Sequence, residues 1–402
     1  MSRTPSARPI GIGVSAALVT GAALGNLGSN LMPVLLPGMA DRFHLSDTTS
    51  GMVATVQLIA TALAALALAA RAERPGRARI ARFGLAATTA GFGLAFAAPG
   101  LPLLTLGNVI AGVGLGVVYA VAMAAIAATD DTDRASTVAV LGATIVLAAL
   151  IILVPLANDA WGGAAGFAVL AACCVPAFWL VRALPDAAEH GRLPASGAPV
   201  PKLFLLALVV LGATEQGAWS YSEILGEDHA GMSTDAVSSV LSISSVVCLA
   251  GVVLAPMAAR KAGRLTTMAA FVAVEVVAKL VIAAVPWSAS FTIAALVWQT
   301  CYMAILVLVL AVAAAADPGG RWVAATSGAT AIGTGLGPAP VGWILDTWGA
   351  PTLGMVLALV TAVVAIPLLR VAGAVESETP RPAALSGSCS GGGNAIRKGV
   401  EH

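Results

Sequence analysis

The sequence predicts an all-α integral membrane protein of twelve transmembrane helices, arranged as two six-helix bundles with pseudo-twofold symmetry. Three observations predict it. The first is composition. Of 402 residues, 58% are hydrophobic and only 10% charged, against about 25% charged in an average soluble domain. Mean hydropathy is +0.92. So little charge cannot cover a water-soluble globule, and a cytosolic enzyme, a nucleic-acid binder and a disordered chain all fit poorly. The second is a succession of apolar runs near the length of roughly 20 residues that a helix needs to cross a bilayer. The third is a repeat of unusual residues at one fixed offset.

Because backbone groups cannot stay unpaired in lipid, the apolar runs read as helices; barrel strands would alternate apolar and polar residues. Spans are predicted at 11–36, 48–70, 80–98, 102–128, 135–157, 163–183, 203–225, 235–258, 265–285, 289–315, 322–345 and 351–373. The first follows a basic segment, MSRTPSARPI, as in a signal peptide, but it is long, interrupted by Gly and followed by eleven further spans. It is therefore read as a retained helix. This divides the chain into an N-terminal bundle (1–183), a central linker (184–202), a C-terminal bundle (203–373) and a Gly/Ser-rich tail (374–402) expected to be disordered.

Lys and Arg set the orientation. With both termini inside, Arg42 alone of the 21 falls in an outer loop and Lys279 within a span, which leaves 21 − 2 = 19 on the inner side. That asymmetry is the positive-inside signal and places both termini and the linker in the cytoplasm. The Arg-over-Lys and Ala-rich composition points to a GC-rich bacterial genome and so to the bacterial cytoplasmic membrane. Net charge is +1, so no strong field calls for an acidic partner or nucleic acid. The five Cys form no CxxC and the four His show no ligand spacing, so no metal or cofactor is expected.

Shifting the chain by 187 residues superimposes Gly25 on Gly212, Asp41 on Asp228, Ser46 on Ser233, Gly76-Arg77 on Gly263-Arg264, Pro99 on Pro286, Arg134 on Arg321, Asp159 on Asp346 and Trp161-Gly162 on Trp348-Gly349. Matches of Asp, Arg, Trp and Pro at loop positions are not cheap in an Ala-rich chain. They predict two six-helix halves related by an axis along the membrane normal.

Six plus six helices, a central linker and a parallel repeat resemble the major facilitator superfamily of transporters. The family's loop between its second and third helices, Gly-x-x-x-Asp-Arg-x-Gly-Arg in type, is similar to ARAERPGRARIARFG (70–84), with a second copy in GVVLAPMAARKAGRLTT (251–267). Gly76, Arg77, Gly263 and Arg264 match its Gly-Arg end; the loop Asp is missing from both copies. LGNVIAGVGLG (106–116) resembles the fourth-helix Arg-x-x-x-Gly-x-Gly pattern, with Asn108 where proton-coupled members place Arg. NLGSNLMPVLLPGMADRF (26–43) is similar to the Pro-Val-x-x-Pro region of the drug-antiporter branch. The fifth helix lacks the antiporter Gly-Pro signature, whereas GTGLGPAPVG (333–342) in the eleventh has that flavour, with Gly337 and Pro338 as a candidate hinge.

The resemblance implies a central cavity lined by helices one, four, seven and ten. Polar groups at lipid depth tend to face such an interior. Candidate substrate contacts are therefore Asn26 and Asn30 in helix one, Asn108 and Tyr119 in helix four, Trp219 in helix seven, and Trp298, Gln299 and Tyr302 in helix ten. Aromatic walls with a few amides suit a moderately apolar organic ligand. Glu215 lies near the middle of its span, and as a lone carboxylate in low dielectric it is the candidate for proton coupling. Glu223, nearer the outer end, is expected to be solvated. Glu275 and Lys279, four apart, are expected to pair within the ninth helix, at the periphery.

The function predicted is secondary transport of a small organic molecule, proton-coupled and directed to efflux, by a monomer in the lipid bilayer. An uptake symporter is the alternative, and a transporter-like membrane sensor the alternative from another class. An enzyme would need a catalytic constellation, and none of the four His lies in a span. No filter or charged ring supports a channel.

Overall fold

The computed structural model describes residues 11–186, 199–317 and 320–378. Among them the secondary structure is helical, without a strand. The basic N-terminal segment, most of the linker and nearly all of the predicted tail lie outside these residues.

The first predicted span is not one helix. It runs as α1 (Ile12–Gly25), α2 (Leu27–Asn30) and α3 (Met32–Phe43), and its sequence explains the breaks. The Asn26 and Asn30 amides donate to the carbonyls of Ala22 at 2.8 Å and Asn26 at 3.1 Å, competing with the ladder as short polar side chains do. Pro33 brings no N–H for the carbonyl four residues back, that of Ser29.

The remaining helices of the first half are α4 (Asp47–Ala72), α5 (Arg77–Phe96), α6 (Leu101–Ala127), α7 (Thr132–Trp161) and α8 (Ala165–Leu180). In the second half α9 (Lys202–Ser220) ends five residues before its predicted limit. It passes through the three-residue turn α10 (Ser222–Ile224) into a wide helical turn, Leu225–His229. Then follow α11 (Thr234–Val247), α12 (Leu249–Ala262), α13 (Arg264–Ala284), α14 (Ser288–Ala316), α15 (Arg321–Leu336) and α16 (Pro338–Glu378). The last carries a break at Gly349, φ +75.

Nine of these helical runs are long and apolar enough to cross a membrane, against twelve expected. The shortfall has three visible sources. The first span is fragmented, α5 opens on Arg77, Arg79 and Arg82, and residues 321–377 run on as a single helical stretch despite the Gly349 break.

Repeat partners share local roles. Ser46 and Ser233 cap α4 and α11 by accepting from Thr49 N (3.3 Å) and Ala236 N (3.4 Å). Gly162 and Gly349 both take positive φ, as do Gly76 (+98) and Gly263 (+85), a conformation only glycine adopts without strain.

The two Gly-Arg turns are built alike. Asp186, just past the sixth span, accepts from the backbone N of Gly76 at 2.9 Å and of Arg77 at 3.4 Å. Glu376, at the end of α16, accepts from Leu265 N at 2.9 Å. An acid thus reaches each helix start, where the macrodipole favours it, from another segment and not from within the loop. Arg77 is no loose anchor: its guanidinium donates to Ala72 O at 2.8 Å and Pro185 O at 3.0 Å. Asp186→Ala should lower stability by about 1 kcal/mol, the usual worth of a helix cap, read as an earlier thermal unfolding midpoint in detergent.

Candidate functional site

Helix α9 places the polar groups at the centre of the molecule. Gln216 Nε2 donates to Ser29 O at 2.9 Å and Trp219 Nε1 to Asn30 O at 3.1 Å. These are carbonyls left without a ladder donor where the first span breaks: Pro33 has no N–H, and Val34 N turns instead to Leu31 O. Sequence-local disruption in one half is therefore satisfied by side chains of the other.

One turn of side chains carries charge. Glu215 is 3% exposed and accepts from Lys279 Nζ through Oε1 and from Trp298 Nε1 at 2.7 Å through Oε2. Lys279, 0% exposed, also lies 2.7 Å from Glu275 and donates to Thr361 Oγ1 at 2.8 Å. This corrects two expectations. Glu215 is not a lone carboxylate, and the Glu275–Lys279 pair is not peripheral, because the Lys279 side chain reaches Glu215 of α9 beside Thr361 of α16 and Trp298 of α14. A buried ammonium needs partners of opposite charge, and periodicity within α13 reveals only one of them. Three ionisable groups, two acids and one base, form a single buried cluster of Glu215, Glu275 and Lys279 with Thr361 and Trp298 around it.

Beside the cluster lies a cavity of about 480 Å³, within the usual range for small-molecule sites. Of the predicted contacts, Asn26, Asn30, Tyr119, Trp219, Gln299 and Tyr302 line it, together with Glu215. Two do not. Asn108 is 1% exposed and donates to Leu104 O of its own helix at 2.8 Å. It sits in close helix packing, where the neighbouring Gly107 meets the backbone of α5. Trp298 is buried behind the wall as the partner of Glu215. The wall also takes Gln216, Ser327, Thr330 and Thr334, which the sequence reading missed. Their signal was weak, since Ser and Thr in an apolar helix commonly bond back to their own carbonyls, as Thr330 does to Thr326 O at 3.0 Å.

Gly337 and Pro338 mark a helix boundary, yet Gly337 keeps helical dihedrals, φ −66 and ψ −49. A Cβ there would meet Ala213 O and Gly217 N, and one at Gly333 would meet Val209 O. The observed role of this glycine run is close approach to α9.

A second cavity of about 770 Å³ shares Ala62, Ala65, Tyr119, Ser327 and Ala331 with the first and reaches Glu73, Arg74 and Arg77. The central space therefore opens on the face that carries the Gly76-Arg77 turn and Pro185, the linker face. The opposite face is closed by contacts between the chain halves. Asp346 accepts from Thr48 N at 2.7 Å and Asp47 N at 3.2 Å. The Tyr221 hydroxyl donates to Asp47 O, Ala339 N donates to Thr55 Oγ1 at 3.0 Å, and Ser242 Oγ donates to Ala148 O at 2.9 Å. Glu223 lies in this closed face at 2% exposure, not in solvent as expected. No group of three or more His, Cys, Asp or Glu able to hold a metal occurs among the described residues.

A helical membrane protein with a central cavity, open at one face and sealed at the other between two chain halves, has the form of a transporter. The Major Facilitator Superfamily profile matches residues 17–319, and the chain belongs to that family. Comparison with curated proteins finds no match. Among solved structures, a nucleoside transporter is similar at TM-score 0.70 and 12% identity, over 90% of this chain and 100% of that one. A peptide transporter is similar at TM-score 0.72 and 11% identity, over 90% and 94%. A D-xylose–proton symporter is similar at TM-score 0.69 and 13% identity, over 89% and 96%. These likenesses are of fold.

Proposed function

We propose that this transporter couples movement of a small organic molecule to protons, working as a monomer of twelve spans in the bacterial cytoplasmic membrane with both termini inside. Two six-helix bundles, 1–183 and 203–373, rock about the central cavity, so that its linker face is the cytoplasmic mouth. Asn26, Asn30, Tyr119, Trp219, Gln299 and Tyr302 contact the substrate. The turns at Gly76-Arg77 and Gly263-Arg264 gate the cytoplasmic side. The direction proposed is efflux, supported by the aromatic and amide character of the wall.

The observation that carries proton coupling is the Glu215–Lys279–Glu275 cluster, with Glu215 in the cavity wall. Two carboxylates share one ammonium, so the cluster holds one negative charge in excess. In a buried site that excess is relieved by one proton. Glu215 thus acts in a coupled group and not as an isolated acid.

The test uses full-length protein in sealed vesicles with an imposed pH gradient, screened across cationic, neutral and anionic organic solutes. Gradient-driven accumulation is expected in the parent, with the polarity of the gradient that drives it reporting export or import. Glu215→Gln should abolish accumulation above the level of passive exchange while leaving exchange itself measurable. Unchanged gradient-driven accumulation in Glu215→Gln would refute the assignment, and flux that ignores the gradient in the parent would refute proton coupling altogether.

A further inference from the structure

On the closed face, beyond the end of α9, the chain turns through Glu223 and Glu227 with no cation among their strongest electrostatic neighbours. Glu223 is 2% exposed and its Oε2 makes no hydrogen bond. Buried polar groups in native structures are nearly always bonded, so an orphaned carboxyl oxygen in this position asks for a ligand. We propose that Glu223 is a proton-binding site, separate from the Glu215 cluster, whose occupancy holds the closed face shut.

The surroundings leave a proton as the fitting ligand. From its own segment Glu223 faces Glu227, and from α7 in the other chain half it faces Asp159. Glu227 in turn faces Asp228, Asp41 at the end of α3, and Asp159, and it too has a buried oxygen, Oε1, without a partner. His229 Nε2 is likewise buried and unbonded. The elements behind are apolar at this point: a Cβ on Gly226 would meet Val237 and Phe291, and the one charged residue of α11, Asp235, is acidic and exposed. The Arg of this face, Arg42, is exposed and turned to the Phe43 ring at 5.6 Å. Carboxylates from both halves therefore act on one another across the seam, and like charges repel. Glu223 sits in the short turn α10, directly before the wide turn at Leu225–His229, a feature frequent at functional sites.

Burial first, then the Glu227 and Asp159 charges, push the Glu223 carboxyl up from 4.5 to about 9 while the face is closed. When the halves part and water enters, the carboxyl returns toward its ordinary value. The closed state thus binds the proton more tightly than the open one. By linkage, closure is fully supported below about 4.5 and weakens as pH rises toward about 9. Across that window the closed-to-open ratio should fall by up to about tenfold per pH unit. Protons arriving from the acidic side would close the door they came through, and this inference does not depend on the Glu215 reading.

The experiment is sided thiol labelling. Ser29 lines the cavity beneath the seal, so a membrane-impermeant maleimide applied opposite the linker face reaches Ser29→Cys only when that face opens. Full-length protein lacking its five native cysteines is labelled in sealed vesicles, each rate divided by that of Ser288→Cys, exposed at the start of α14 where the chain turns from α13, to remove the reagent's own pH dependence. The normalised rate is expected to rise steadily from pH 6 to pH 8.5. In Glu223→Gln it should stay at the low-pH value throughout, and in Glu215→Gln it should still rise. A parent rate indifferent to pH, an unaltered rise in Glu223→Gln, or a rise lost in Glu215→Gln would each overturn the proposal. The last would place the sensitivity in the central cluster.

Discussion

Lys279→Met is expected to be the most damaging single substitution in the molecule. Lys279 is the shared partner of Glu215 and Glu275 at 0% exposure. Replacing it with an apolar side chain of similar length keeps the volume but leaves two buried carboxylates facing each other. Breaking a buried ion pair from one side costs about 3–5 kcal/mol, a large share of the stability of a typical fold. The unfolding midpoint in detergent should drop sharply, or the protein should fail to accumulate. The control is the triple variant with Glu215→Gln and Glu275→Gln, which removes the uncompensated charges and should regain most of the loss. A triple variant as unstable as Lys279→Met would show that Lys279 matters for packing and not for charge.

The second large effect is conformational. Gly51 and Gly342 lie in the sealed face. A Cβ on Gly51 would meet the Tyr221 hydroxyl and Pro338 O, and one on Gly342 would meet the same hydroxyl and Asp47 O. In each case at least one obstacle is backbone, which cannot rotate aside. Gly51→Leu therefore overpacks the closed state by about 1–3 kcal/mol while leaving the open state untouched, a shift of roughly 5–150-fold toward opening. Labelling of Ser29→Cys from the face opposite the linker should accelerate by that factor at fixed pH. Transport should fall, because a door that does not close halts the cycle. Gly51→Ala should show a smaller shift of the same sign. An unchanged labelling rate in Gly51→Leu would mean that the contacts around Tyr221 do not limit closure.

The membrane character, the helical class and the family were all legible in the amino-acid string, because bilayer physics writes itself in local composition. A span needs its own apolar residues, whatever surrounds it. The loop motif was legible for the same reason: positive φ at Gly76 and Gly263 is a local demand that only glycine meets cheaply. The failures share a cause as well. Asn108 looked like a cavity residue because it is polar in an apolar helix, but its amide bonds its own turn, and helix rotation decides which way such a residue faces. Trp298 and Gln299 are neighbours in sequence, yet one is behind the wall and the other on it.

What the sequence determined by itself is thus the solvent of this protein, its helical class and the chemical types available at its centre. Only tertiary structure decided the pairings. Lys279 finds Glu215 from 64 residues away, Gln216 satisfies a carbonyl that Pro33 leaves vacant 187 residues earlier, and Glu223 loses its water because the other half of the chain covers it. Charge and hydrogen bonding act through space over a few ångströms. Which residues come within that range is set by how helices pack, and no local pattern carries that information.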